Sequence, residues 1–462
     1  MKISTKRTIK KFFIISLCVS LGTMLLWNYS TVTAKTQDTY KSLEAFSNVL
    51  NLVEENYVEE VDSQKAIEGA IKGMLNTLDP HSSYMKPDDF KELQVETQGS
   101  FTGIGIEITM KDNILTVVSP IEGTPAFEKG LKAGDKIIKI GEEMTQDLSL
   151  MEAVKRLRGP KGSEVTISIH RKGWTDLKEI TIIRDVIPIH SVKSKILEPG
   201  YPYIRIINFQ AQTTTDFKKA LAEMEKAGKI KGLIIDLRNN PGGLLDQSVK
   251  IADIFIDEGV LVSTKGRIKE QNAVFHAHNG NGKYNYPMVV LVNEGSASAS
   301  EIVAGALQDH KKAIVLGAQT FGKGSVQTII PMDNGAGLRL TTARYYTPSG
   351  RSIQATGIVP DIVVPSTVAS SAAEDKDNAE AEKKPQFLRE KDLRHHIGNG
   401  LEDETKKKDE KESRKPKEEP KASGDAEQEA DKKDISNDQQ LSSALMLLKG
   451  LSVFNGGGAG AK

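Results

Sequence analysis

Residues 287–309, PMVVLVNEGSASASEIVAGALQD, lead from an apolar run through a loop of small and polar residues into a second apolar segment. Pro287 to Val292 reads as a buried strand, and Ala299 to Asp309 carries its apolar residues at helical spacing. The same alternation recurs upstream, with a strand expected over Gly232 to Leu237 and a helix over Leu244 to Ile256. It predicts an α/β domain over Tyr201 to Pro365. Small side chains in the loop let a substrate backbone approach. Ser298 and Glu301 have the Ser-x-x-Glu spacing of a capping box, which alone reads as a helix cap. A hydroxyl there also lies beside free backbone N–H groups and the positive end of a helix dipole, where an oxyanion is best stabilised.

A serine nucleophile needs a base, and the eight histidines supply no convincing one. His276 and His278 fall in a polar loop, His310 ends a helix, and His81 reads as structural. Ser296 stands where a Gly-x-Ser-x-Gly elbow around Ser298 would need glycine. Lysine can replace histidine when burial keeps its amine neutral. Lys323, in Thr320-Phe321-Gly322-Lys323-Gly324, has flanking glycines that leave room around the amine. Gln327, four residues on, lies on the same side of either a strand or a helix and could orient it. The run Gly317 to Gly324 nearly matches a phosphate-binding loop, but Gly324 lacks the required hydroxyl. Val326 to Pro331 then reads as strand where such a loop needs helix. A third element, Ile234-Ile235-Asp236-Leu237-Arg238-Asn239-Asn240-Pro241-Gly242-Gly243, is a strand entering a Gly-rich loop. Its N–H groups could form half of an oxyanion hole, and Arg238 is expected to pair with Asp236 or another carboxylate.

Outside this domain the pattern changes. Residues 35–98 show helical periodicity at Leu43, Phe46, Val49, Leu50 and Val53, and again from Ile67 to Leu75. Residues 99–186 form short β-type runs divided by Gly and Pro, as in Ile114 to Val118 and Val165 to Ile169. The α/β domain occupies 187–365. In the tail, residues 366–462, 39 of 97 residues are charged against 27% for the chain, so most of it is expected to be disordered. Phe387 to Ile397 and Leu441 to Phe454 stand out there as short helices. Residues 1–34 pair a basic start with an apolar run from Phe12 to Trp27, which predicts a cleaved export signal or an N-terminal membrane anchor. The protein is then expected outside the cytoplasm, periplasmic or on the outer face of the inner membrane. The single cysteine, Cys18, lies in that run and leaves no thiol chemistry for the body. The 62 basic residues balance 62 acidic ones, which argues against a nucleic-acid partner.

In this order the three elements resemble the C-terminal processing peptidases, or tail-specific proteases, over Tyr40 to Pro365. The resemblance implies a serine endopeptidase without metal or other cofactor. Ser298 would attack the peptide carbonyl, Lys323 would carry the proton, and Gln327 would orient the lysine. The N–H of Ala299, with that of Gly242 or Gly243, would hold the oxyanion. It also implies that the β-rich module is a PDZ domain inserted in a crotonase- or Clp-protease-like β-spiral core. In that domain Thr102, Gly103, Ile104, Gly105 and Ile106 would receive the apolar C-terminus of a protein substrate, which adds as a β-strand. Arg158 matches a position that can couple this domain to the catalytic site. Self-association through the helical region and delivery of substrates by an adaptor protein are further expectations. The alternative is a catalytically inactive PDZ scaffold that binds protein C-termini.

Overall fold

The computed structural model describes residues 38–111, 114–278, 284–365, 388–399 and 438–457. Residues 1–34, where an export signal or anchor is expected, Cys18 and the greater part of the tail lie outside the described residues. The chain divides into two compact units, residues 1–77 and 78–462. Among the described residues the first unit is two helices, 38–56 and Ser63–Asn76. Asp62 caps the second by accepting from the Lys65 N–H. Tyr40, Leu43, Phe46, Val49 and Leu52 are exposed along the first. Among the described residues no helix is long and apolar enough to cross a membrane.

In the second unit, a β-rich module is built on an antiparallel sheet in the order Ile106–Lys111, Ile114–Pro120, Lys136–Ile140, Glu164–His170, Lys178–Ile183. Alternate residues of these strands point inward, and Leu115, Ile137, Ile167, Ile169 and Ile182 are fully buried with Ala153 and Leu157 of the helix Leu150–Leu157. Where the chain enters and leaves the module, Ser100–Gly103 pairs antiparallel with Asp185–Pro188. That ribbon brings the two crossings side by side, as an inserted domain requires.

The α/β core has a sheet in the order Val192–Glu198, Tyr201–Ile206, Leu233–Asp236, Met288–Val292, Ile314–Gly317, Ile362–Val363. The first pair is antiparallel and the rest are parallel. Parallel strands need long crossovers, supplied in part by the helices Thr213–Ala227, Leu245–Asp253 and Ala299–Asp309. Their apolar faces close a core around Phe217, Phe255, Val290 and Val303. A parallel sheet needs cover on both faces. The helix Gln439–Gly457 from the tail provides it, burying Leu441, Ala444, Leu445 and Leu448 against Tyr201, Ile234, Val289, Leu291 and Leu316. Leu448 sits directly over Gly232, where any Cβ would lie 3.0 Å from it. A second sheet is centred on Gly337–Tyr346, which pairs with Ser83–Met85, Val260–Gly266 and Ser325–Pro331.

The expectation of a helix over Phe387 to Ile397 is corrected. Phe387 lies outside the described residues, and the rest holds one 3₁₀ turn, Glu390–Asp392. The Asp392 side chain takes the Arg389 N–H at 3.0 Å, and the Glu390 N–H goes to Phe321 C=O at 3.2 Å.

Candidate active site

Three parallel neighbours, Leu233–Asp236, Met288–Val292 and Ile314–Gly317, end at one edge of the sheet, and each releases one of the loops singled out in the sequence. Carboxyl ends of adjacent parallel strands are where open α/β sheets place their sites. Residues 237–243, 293–298 and 318–324 therefore converge without further assumption.

The serine-rich loop has three hydroxyls with different fates. Ser296 and Ser300 are fully buried. Ser296 Oγ donates to Leu237 C=O at 2.8 Å, and Ser300 Oγ donates to Asn240 C=O at 3.0 Å. Both lace the loop to its neighbour. Ser298 is half-buried and its side chain makes no cap hydrogen bond. It sits at φ 56°, ψ −114°, a conformation that costs a non-glycine residue about 1–3 kcal/mol and is held only by its surroundings.

What holds it is Glu301. This carboxylate is fully buried and accepts from Ser298 N at 2.8 Å, Lys323 N at 3.0 Å, Gly322 N at 2.8 Å and Thr320 Oγ1 at 2.5 Å. One oxygen, Oε2, takes both the serine and the lysine N–H groups. Burial pushes Glu301 up to about 7, against the pull of these donors. The capping-box reading thus captured one of four bonds.

Lys323 is half-buried, and desolvation holds its amine below the usual lysine range. Glu390, Glu301 and Asp79 oppose the shift, while Arg339 adds to it. Tyr345, fully buried, donates its hydroxyl to Lys323 C=O and lies in hydrogen-bond contact with the Ser298 side chain. Gln327 donates through Nε2 to Ser325 Oγ at 3.0 Å and Thr341 Oγ1 at 3.3 Å. Its Oε1 makes no hydrogen bond among the described residues. Lys323 lies in the loop before the strand Ser325–Pro331, so the spacing of four does not alone decide the direction of Gln327.

Gly242, at φ +104°, leaves room that a Cβ would fill, 2.8 Å from Ser298 Cβ and 2.9 Å from Ala299 N. The two loops touch through that missing side chain. The Gly242 N–H is taken by Asn240 Oδ1 at 2.9 Å, whereas the N–H groups of Gly243 and Ala299 make no hydrogen bond among the described residues. Arg238 pairs with Asp236 at 2.7 Å, as expected, and also with Asp438 of the tail at 2.8 Å.

In the β-rich module, Phe101, Gly103, Ile104, Gly105, Ile106, Leu157 and Arg158 line a groove of about 100 Å³ between the edge strand and the helix Leu150–Leu157. Gly105 is at φ +80° and Thr124 packs where its Cβ would be. Ile104 C=O accepts from Ala126 N, and Gly105 C=O from Ile121 N. Their own N–H groups make no hydrogen bond among the described residues. Thr102 C=O accepts from Gly159 N, and Arg158 stacks on Phe101 and pairs with Glu92 at 3.3 Å.

Residues 200–364 match the peptidase family S41, residues 102–182 the PDZ domain, and residues 23–89 the N-terminal domain of the activating protease CtpB. A carboxy-terminal-processing protease of Bartonella bacilliformis is 47% identical over 76% of this chain and 82% of its own. The carboxy-terminal processing protease CtpA of Bacillus subtilis is 36% identical over 77% of each chain. Among solved structures, a photosystem II D1 C-terminal processing protease matches at 31% identity and a TM-score of 0.40, over 69% of this chain and 92% of that one. The chain belongs to peptidase family S41, with the carboxy-terminal processing proteases, and is a serine-type peptidase carrying a PDZ domain.

Sequence reasoning missed Tyr345, Glu390, Asp438 and the further partners of Glu301. The Ser-x-x-Glu spacing was the one signal available for that last residue.

Proposed function

We propose that the protein is an exported serine endopeptidase that captures apolar C-terminal tails in its PDZ groove and cuts them with a Ser298–Lys323 dyad. The observation that carries this is the shared Glu301 oxygen, which binds the backbone of both residues and keeps them adjacent. Burial favours the neutral amine of Lys323, so it can take the Ser298 proton as Oγ attacks the carbonyl. Gln327 Oε1 is the acceptor left to steady the amine. The oxyanion rests on the N–H groups of Ala299 and Gly243, because that of Gly242 is already used. Lys323 returns the proton to the leaving amine, and water then hydrolyses the acyl-enzyme.

Substrate enters as an added strand along Ile106–Lys111, an edge of its sheet. Its terminal carboxylate meets the N–H groups of Ile104 and Gly105, beside Thr102 and Gly103. Arg158 lies on the groove wall and can report its filling to the core. Export by residues 1–34 places the enzyme in the periplasm or anchored on the outer face of the inner membrane. There the exposed apolar face of the helix 38–56 supports self-association, and an adaptor protein is a further partner.

The test uses protein beginning at Lys35, incubated with an unfolded protein ending in small apolar residues, alongside Ser298→Ala and Lys323→Ala. Cleavage near the tail by the parent and by neither variant is expected, with products identified by intact mass. Cleavage that survives Lys323→Ala would overturn the dyad. Binding of the terminus without cleavage by the parent would favour the scaffold.

A further inference from the structure

Glu390 is a fully buried carboxylate that the reaction above does not use, and it belongs to the charged tail. Its Oε2 lies 2.8 Å from His81 Nε2, and its Oε1 accepts from Gln354 Nε2 at 2.8 Å. Gln354 is also fully buried, and its Oε1 takes the Gly324 N–H at 2.9 Å. The Glu390 N–H goes to Phe321 C=O, and Arg389 donates to the Gln319 side chain at 2.8 Å. The tail therefore grips the lysine loop directly at Gln319 and Phe321 and, through Gln354, at Gly324, while Glu301 grips it at Thr320, Gly322 and Lys323. One buried carboxylate, Glu301, holds the loop directly, and a second, Glu390, holds Gln354, which in turn holds Gly324.

We propose that the tail segment 388–399 is a working part of the catalytic centre, in which Glu390 is a positioning residue that clamps the lysine loop and sets a negative charge against Lys323. This rests on the Ser298–Lys323 reading. The groups around the amine are Glu390 from the tail, Glu301 from the catalytic helix, Asp79 from the turn before the second sheet, and Arg339 from its central strand. His81 faces Glu390 itself, and Tyr345 reaches the Lys323 carbonyl. A carboxylate near an amine favours the charged form. Glu390 thus raises the pH at which Lys323 becomes a base, and its removal lowers it.

The experiment measures kcat/KM against pH for the full chain and for Glu390→Gln, on a labelled unfolded polypeptide ending in alanines. Glu390→Gln keeps shape and most hydrogen bonds. Its acid limb is expected to move down by about one pH unit, giving about fivefold more of plateau activity one unit below the parent midpoint, with KM within about twofold. If Glu390→Gln does not fold, Glu390→Asp draws the carboxylate back from Gln354 and the lysine loop, and the limb is expected to move down by a smaller step. A Glu390→Gln profile superimposable on the parent's, or one lowered equally at every pH, would overturn the proposal. So would an unmoved limb in Glu390→Asp. Activity surviving Lys323→Ala would instead overturn the dyad on which it rests, so the two failures are distinguishable.

Discussion

Glu301 Oε2 receives the backbone N–H of Ser298 at 2.8 Å, and that bond fastens the first turn of a helix to a residue held at positive φ. The same carboxylate is fully buried and is raised from the ordinary glutamate value of 4.5 to about 7. The folded state therefore holds this proton more tightly than the unfolded chain does, and ionisation weighs against folding. The stabilising contribution is complete below about pH 4.5 and is lost as pH rises through about 7. Denaturant titrations of the parent and Glu301→Gln should show their stability difference narrowing over that window by about 2–3 kcal/mol. A difference independent of pH would mean that Glu301 is ionised throughout.

The three loop serines should separate cleanly. Ser296→Ala or Ser300→Ala removes a buried donor from a carbonyl it satisfies, so each should lose about 1–3 kcal/mol of stability while still cleaving substrate. Ser298→Ala should fold as the parent does and lose at least about 10⁴ in kcat. Thermal melts beside single-turnover cleavage read both quantities. A Ser300→Ala protein that is stable but inactive would move the nucleophile.

Gly242 and Gly243 should fail differently. A Cβ on Gly242 meets Ser298 Cβ and Ala299 N, so Gly242→Ala should lose about 10² or more in kcat through a displaced oxyanion site. A Cβ on Gly243 would lie 2.2 Å from Phe209 C=O, within a backbone bridge between those residues. Gly243→Ala should therefore appear first as lost stability. Melting temperature and kcat for the two variants check the order, and equal damage to both properties in both would contradict it.

The tail helix should behave as core. Leu448 is fully buried over Gly232, so Leu448→Ala should cost about 2–5 kcal/mol. Asp438→Asn removes charge from the pair with Arg238, where burial makes loss of one partner costly. Urea unfolding of both variants tests this. Unchanged midpoints would show that the helix is dispensable.

Much of this was legible because it is local. The helix Ala299–Asp309 has its expected bounds, and the strands at 233–236 and 288–292 fall within the expected runs. Ser298, Lys323 and the glycine loop occur in the expected order, and parallel topology brings them together. Contacts between distant parts of the chain were not legible. His81 and Glu390 are 309 residues apart, and Arg238 and Asp438 are 200 apart. No spacing rule links such pairs, and the charged composition around Glu390 and Asp438 reads as solvated chain. Gln327 shows a subtler gap, since Lys323 falls in the loop before its strand, where the alternation from which its direction was inferred does not hold.

The docked tail also orders events during synthesis. A ribosome that has reached Val364 has already made Ser298, Lys323, both glycines and Glu301. It has not yet made Glu390 or Asp438, which hold the lysine loop and the glycine loop from behind. On the proposed mechanism, the nascent polypeptide would carry every reacting group before the supports that align them. Competence would then wait for segments 388–399 and 438–457 to dock.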